Sequence, residues 1–329
     1  MDKASVIGFD QGFSSCKVST EWGDFKFPNA VEEISRAGTI GGSFLDNTSE
    51  IKTYFYNGKY YLVGDDARSD KGYNRDINYL LEYAPLLLAV AIDKIYSLYG
   101  VSVSKEFVIS AGLPIDFNSY SKEYKRLLSN FSVNNNQYHF DNVVINGQGV
   151  GVFADYVYNW CENKSSLYDE EGIVLDIGEN TIIVIHYKNG KILKDITEQF
   201  NKYGVSSIMD GLGDALKRRF NGRVFNASEI RKAFINKTIL QAGKNEDISQ
   251  EIALLEKKYL EETFSFLVNK YENYFLSINK IILAGGGGSL LNSFLSEYDT
   301  SKIGNFIISP SVEFSNSRGY RAKAIKNYC

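Results

Sequence analysis

Two short stretches hold residues whose types and spacing could do chemistry. Near the start, the apolar run Val6-Ile7-Gly8-Phe9 ends in an acid, Asp10, followed by Gly12, Ser14, Ser15 and Lys17. Further on, Gly172–Asp176 is again apolar and again ends in an acid, followed by Gly178, Glu179, Asn180 and Thr181. A strand running into Asp-x-Gly offers backbone N–H groups and hydroxyls at a tight turn, a set suited to phosphate oxygens. The acid is then free to hold Mg2+, and Lys17 adds a point positive charge. Each stretch alone also fits a plain hairpin turn with a solvated acid and a surface lysine. The repeat favours the phosphate reading, because a lone acid ending an apolar strand is otherwise poorly placed.

The elements that must position these residues are legible around them. Ser5–Phe9 and Cys16–Glu21 flank the first turn, and Ile182–Tyr187 follows the second. Tyr54–Tyr56 and Tyr60–Val63 flank Asn57-Gly58, a two-residue hairpin signal. Apolar residues at 80, 81, 84, 87, 88, 91, 92, 95 and 98 predict a helix over Leu80–Tyr99. Lys105–Ala111 reads as a buried strand, Ser119–Phe131 as a helix, Val143–Ile145 as a strand and Val150–Cys161 as a helix. In the second half, Val205–Phe220, a pair around Ala227–Gln241, and Ile248–Tyr274 read as helices. Lys280–Leu283 is a strand that runs into four glycines, Gly285–Gly288, read as a loop before a helix over Leu290–Tyr298. Strand Asn305–Ile308 and helix Ser317–Lys326 close the chain. Two related halves of this kind can face each other across a cleft and grip a polyphosphate from both sides.

Composition narrows the classes. The 329 residues suit two domains, and 44% apolar with 23% charged residues is ordinary for a globular protein. A net charge of −4 argues against direct DNA binding as the main task. Two histidines and three widely spaced cysteines, Cys16, Cys161 and Cys329, leave little material for a zinc site, a disulfide framework or a Ser–His–Asp triad. Cys16 and Cys161 read as small core residues. Asp2 without an apolar stretch behind it predicts no secretory signal, and Ala84–Ile92, broken by Pro85, falls short of the ~20 residues that span a bilayer. A cytoplasmic protein without membrane insertion is expected.

Taken together the residues resemble the actin, sugar-kinase and heat-shock ATPase superfamily. Asp10–Lys17 looks like its first phosphate motif, D-x-G-x-x-x-x-K, and Asp176–Thr181 like its second, D-x-G-x-x-T. Ile281–Gly288 is similar to its adenosine motif, and Gln148, between Gly147 and Gly149, falls where actins carry the residue that orients the attacking water. Within the superfamily, Tyr61–Ala67, Ile109–Pro114 and Asn316–Tyr320 resemble segments of the ParM-type bacterial and archaeal actin-like ATPases. Phe13, where many relatives have a small residue, and Asn180, where glycine or threonine is usual, depart from the pattern.

The resemblance implies an α/β, actin-like fold of two related ribonuclease-H-like domains around a nucleotide cleft, with domain I at 1–163 plus 313–329 and domain II at 164–312. It implies hydrolysis of ATP (GTP being equally open) with Asp10, Asp176 and Gln148 as catalytic residues. Asp10 and Asp176 would hold Mg2+ through water. Gly12, Ser14, Ser15, Lys17, Gly178, Asn180, Thr181, Asp210, Gly285, Gly286 and Gly287 would bind the nucleotide. Gln148 also fits a helix-capping role, and Asp210 a plain helix-surface acid. The implied partners are the chain itself, in dynamic filaments, and a DNA-binding adaptor linking the filament to plasmid DNA. The rivals are a small-molecule kinase of the same superfamily, which needs an acid over an acceptor pocket, and a non-polymerising regulatory ATPase. The heat-shock type adds a peptide-binding domain, for which about 20 residues after Ile308 are too few.

Overall fold

A computed structural model describes residues 4–35, 51–67, 76–101, 106–296 and 305–328. Asp2, Lys105, Cys329 and the end of the helix expected over Leu290–Tyr298 lie outside them in whole or part. Two compact units make up the chain, Met1–Asn159 with Asn316–Cys329, and Trp160–Ser315.

The first unit is built on β1 (Ser5–Gln11), β2 (Ser15–Ser19) and β3 (Asp24–Pro28), three antiparallel strands in sequence. β4 (Val31–Ile34), β5 (Tyr54–Tyr56) and β6 (Lys59–Val63) make a separate small sheet, with the expected Asn57-Gly58 turn at positive φ. Helix α1 (Ile77–Tyr99) begins where Asp76 accepts from the Asn78 amide and stops at left-handed Gly100. β7 (Phe107–Leu113) pairs parallel with β1. After α2 (Ser121–Ser129), the hairpin of β8 (Asn130–Val133) and β9 (Asn136–His139) turns on Asn134 and Asn135. β10 (Val143–Gly147) completes the sheet in the order β10-β7-β1-β2-β3. Helix α3 (Val150–Asp155) passes into a wider π-helical winding over Tyr156–Trp160.

β1 is buried along its whole length because both faces of the sheet are covered. Alternation assigns the faces: Ile7, Phe9, Ile109 and Ala111 join α1 and α2 in the main core, whereas Val6 and Val108 meet Ala324 of the closing helix, Ser315–Tyr328. That helix lies close. A Cβ at Gly8 would stand 1.9 Å from the Ser317 carbonyl, and Ser110 donates its hydroxyl to the Tyr320 carbonyl at 2.8 Å.

The second unit repeats the plan. β11 (Glu171–Ile177), β12 (Thr181–Lys188) and β13 (Lys191–Asn201) are antiparallel in sequence. Helices α4 (Ser206–Arg219) and α5 (Ala227–Asn236) follow, then a hairpin of β14 (Thr238–Gln241) and β15 (Lys244–Asp247), then the long α6 (Ser249–Phe275). β16 (Lys280–Ala284), α7 (Gly286–Leu295) and β17 (Asn305–Ile308) give the sheet order β13-β12-β11-β16-β17. This matches the first sheet strand for strand, a three-strand meander with two parallel strands added beyond the first.

Three expectations need correction. Ala227–Gln241 is one helix and a strand, because Lys237 turns left-handed and ends the helix. The glycines are no loop: Gly286 to Gly288 form the first turn of α7. Cys161 is only half-buried, its thiol near the Asn163 carbonyl, while Cys16 is fully buried. No helix among the described residues is long and apolar enough to cross a membrane.

Candidate functional site

In the first unit, Asp10 sits inside β1 and not in the turn after it. It is 1% exposed, so a solvated turn acid is excluded. Antiparallel register sets Lys17 opposite, with its Nζ 3.7 Å from the Asp10 carboxylate. Gln148 enters from the end of β10. Its amide donates to the Leu113 carbonyl at 2.8 Å and its side-chain Nε2 to Asp10 Oδ1 at 2.9 Å. The next residue, Gly149, donates its amide to Asn316 Oδ1 at 2.9 Å, so the closing helix holds this corner. Gln11 points to the other face, donating to the Leu80 carbonyl and accepting from Tyr124. Burial pushes the Tyr124 phenol well up, which keeps it a neutral donor. Burial, and then the Asp10 charge, push the Cys16 thiol up, so Cys16 is a core residue and no nucleophile.

The turn between β1 and β2 is closed by Gly12, whose amide donates to the Asp10 carbonyl at 3.0 Å. Asn29, directly after β3, binds it from the inside. The Asn29 side chain donates to the Gly12 carbonyl at 2.8 Å, and its backbone amide to the Ser14 carbonyl at 2.9 Å. Ser14 and Ser15 are half-buried on this turn.

In the second unit, Asp176 is the matching residue of β11 and is 7% exposed. The turn after it closes with the Gly178 amide on the Thr181 carbonyl at 2.8 Å, and Asn180 and Thr181 are buried. The start of α4 docks on it: Val205 and Ser206 donate to the Gly178 and Glu179 carbonyls at 3.1 and 2.7 Å. Arg231 of α5 pairs with the Glu179 carboxylate.

The glycines close over the same strand end. Gly285 has φ +76°, and a Cβ on it would lie 2.3 Å from the Ile177 carbonyl and 2.8 Å from Asp176 Oδ1. A Cβ on Gly287 would meet Ile177 Cγ2 at 2.2 Å. At Gly286 it would meet nothing within 4 Å. The first amides of α7 therefore start beside Asp176, unpaired within the helix, as helix N-termini leave them.

The first unit thus gathers Asp10, Gly12, Ser14, Ser15, Lys17 and Gln148, and the second Asp176, Gly178, Asn180, Thr181, Gly285, Gly286 and Gly287. Asp210 stands apart, exposed on α4, one turn beyond its docked start and bonded to no turn residue among those described. Sequence reasoning missed Asn29 and Arg231 and gave Glu179, inside the second motif, no role of its own. The signal for Asn29 was a single polar residue inside Phe27-Pro28-Asn29-Ala30-Val31. Among the described residues no three His, Cys, Asp or Glu side chains form a metal cage. The buried Asp10 carboxylate, met among the described residues by the Gln148 amide and Lys17, fits a hard cation held through water better than a directly ligated one.

Residues 8–151 match the family model for the N-terminal domain of actin-like proteins, and residues 174–297 that for the C-terminal domain of archaeal MreB-like actin homologues. No curated protein matches the chain. Among solved structures, a 15-stranded ParM filament from Clostridium botulinum aligns over 98% of this chain and 99% of its own, at 19% identity and TM-score 0.77. The archaeal actin homologue Ta0583 in complex with ADP aligns over 98% and 99%, at 19% identity and TM-score 0.74. Bacillus thuringiensis ParM with ATP aligns over 99% of both chains, at 17% identity and TM-score 0.65. The fold is actin-like over nearly the whole chain.

Proposed function

We propose, because this chain belongs to the actin-like proteins, that it binds and hydrolyses ATP or GTP and assembles with its own copies into dynamic filaments. The observation that carries this reading is the cluster of Asp10, Lys17 and Gln148 around the Gly12–Ser14 turn. Phosphoryl transfer to water asks a protein for positioning and charge stabilisation, with little covalent chemistry of its own. The turn amides and Lys17 take phosphate oxygens, and Gly178, Asn180 and Thr181 do the same at the second turn. Gln148, anchored through Nε2, keeps its Oε1 to accept from the attacking water. Asp10 and Asp176 would hold Mg2+ through water, and bound there it would neutralise developing phosphate charge.

The fold neighbours support the reading: one is a ParM with ATP, one an archaeal actin homologue in complex with ADP, and one a ParM filament. The filament's task in this proposal is segregation of plasmid or other DNA in the cytoplasm, reached through a DNA-binding adaptor, since the chain's own charge is −4. The test is sedimentation of the purified chain with ATP or GTP and Mg2+, read beside phosphate release. Nucleotide-dependent pelleting with phosphate release supports the proposal. Neither with either nucleotide refutes it.

A further inference from the structure

We infer that Asn29 is a positioning residue that aims the first turn's amides at phosphate; the inference rests on the nucleotide reading above. Asn29 lies outside the Asp10–Lys17 stretch and is fully buried, 0% exposed. It makes three bonds. Nδ2 donates to the Gly12 carbonyl at 2.8 Å, its amide donates to the Ser14 carbonyl at 2.9 Å, and its own carbonyl accepts from Tyr79 Oη at 3.3 Å.

The consequence follows from peptide planarity. In a trans peptide the N–H of one residue points opposite to the carbonyl of the residue before it. Tying the Gly12 carbonyl inward to Asn29 therefore turns the Phe13 N–H outward, and tying the Ser14 carbonyl inward does the same for the Ser15 N–H. The Phe13 amide of the first fixed peptide and the Ser14 amide between the two donate to no acceptor among the described residues. Successive outward amides of this kind form a concave anion site, and their orientation is set before any ligand arrives. Asn29 Oδ1 has no partner among the described residues although it is buried. A buried unpaired acceptor is costly, so a side chain chosen for folding alone would be apolar here. What the amide accomplishes is the bond to Gly12.

The test compares Asn29→Ala, Asn29→Ser and Tyr79→Phe with the wild-type chain, by calorimetric titration of ATP, ADP and adenosine in Mg2+. Tyr79→Phe removes a bond to the same residue without touching the turn, so it controls for loss of stability. Asn29→Ser keeps a small polar side chain that cannot reach Gly12, and serves should the alanine variant not fold. The expected result is ATP and ADP affinity at least 10-fold weaker in the Asn29 variants, with adenosine affinity unchanged and Tyr79→Phe like wild type. Equal ATP affinity in wild type and Asn29 variants overturns the inference alone, as does an equal loss toward adenosine. Wild type that binds no nucleotide overturns the proposed function and this inference with it.

Discussion

Gln148 donates its side-chain Nε2 to Asp10 Oδ1 at 2.9 Å, across 138 residues of sequence. The bond leaves Gln148 Oε1 without a partner among the described residues, while Asp10 fixes where that oxygen sits. An amide held by one atom is a good orienter through the other, because its planar geometry carries the constraint across. If this orients water, Gln148→Ala should bind ATP as wild type does, since the turns are intact. Hydrolysis should fall on the order of 10²-fold, orientation acting on the transition state and little on ground-state binding. Filaments should then outlast those of the wild type in sedimentation followed over time. Filaments vanishing at the wild-type rate, with normal phosphate release, would leave Gln148 a structural partner of Asp10 only.

Asp10 and Asp176 occupy matching positions in two sheets of the same strand order. Replacing either by alanine should cut Mg2+-dependent phosphate release at least 10-fold, because phosphate charge is left less neutralised. Asp10→Ala should also remove one contact each from Lys17 and Gln148. A Mg2+ titration of phosphate release in both variants reads this. Unchanged release in both would remove the acids from the site.

The repeat was legible because an acid closing an apolar strand breaks the local pattern, and it does so twice. The third strand of each meander was not. Asp24–Pro28 alternates as Phe25 and Phe27 between Asp24 and Lys26, but only five residues carry the signal. Lys191–Asn201 lies at a sheet edge and is nowhere buried, so its sequence reads as polar. The hairpin Thr238–Asp247 is short and charged, and its burial of Ile239 alone leaves almost no periodicity. The four glycines read as loop because glycine is a poor helix former. Packing overrides that preference here, since side chains at 285 and 287 would strike Ile177. Asn29 shows in the sequence only as one polar residue in an apolar run, and its role does not show: its partners are backbone atoms brought by strand pairing, and they leave no trace in residue type.

Acid should weaken the second unit through His186, which is 2% exposed between two carboxylates. Its Nδ1 faces Asp195 at 2.9 Å and its Nε2 faces Glu171 at 3.0 Å, with Tyr274 packed edge-on. Bonds from Lys188, and then from His186, hold the Glu171 carboxyl below its ordinary 4.5, and the His186 bond holds Asp195 below 3.8. A carboxylate lowered in the folded state stabilises it above the unfolded value, and that gain is lost as pH falls through the folded value. His186→Phe keeps the ring but not the bonds. It should be less stable than wild type at pH 7, by roughly 1 kcal/mol or less since both acids are solvent-screened. The gap should narrow as pH falls below the ordinary 4.5 and 3.8 and through the two lowered carboxylate values. Denaturant midpoints across that range measure it, and a gap independent of pH would assign the loss to packing.

The glycines of α7 separate folding from binding, because neighbouring positions face different surroundings. A methyl group at 287 would overlap Ile177 Cγ2 at 2.2 Å, so Gly287→Ala should cost about 1–3 kcal/mol as overpacking. Ile177→Ala in the same chain removes the struck atom, and the double variant should lose less than the two single losses together. A methyl at 286 meets nothing within 4 Å, and Gly286 lies at the helix start. Gly286→Ala should fold at least as well as wild type, gaining up to about 1 kcal/mol from lower unfolded-state entropy. If the adenosine end of the nucleotide packs against this backbone, the same methyl should weaken ATP binding while leaving the thermal midpoint of the free chain unchanged or raised. Unfolding without ligand and titration with ATP, run side by side, read the two effects. Wild-type affinity in a stable Gly286→Ala chain would make Gly286 a helix residue only and would move the adenosine contact elsewhere.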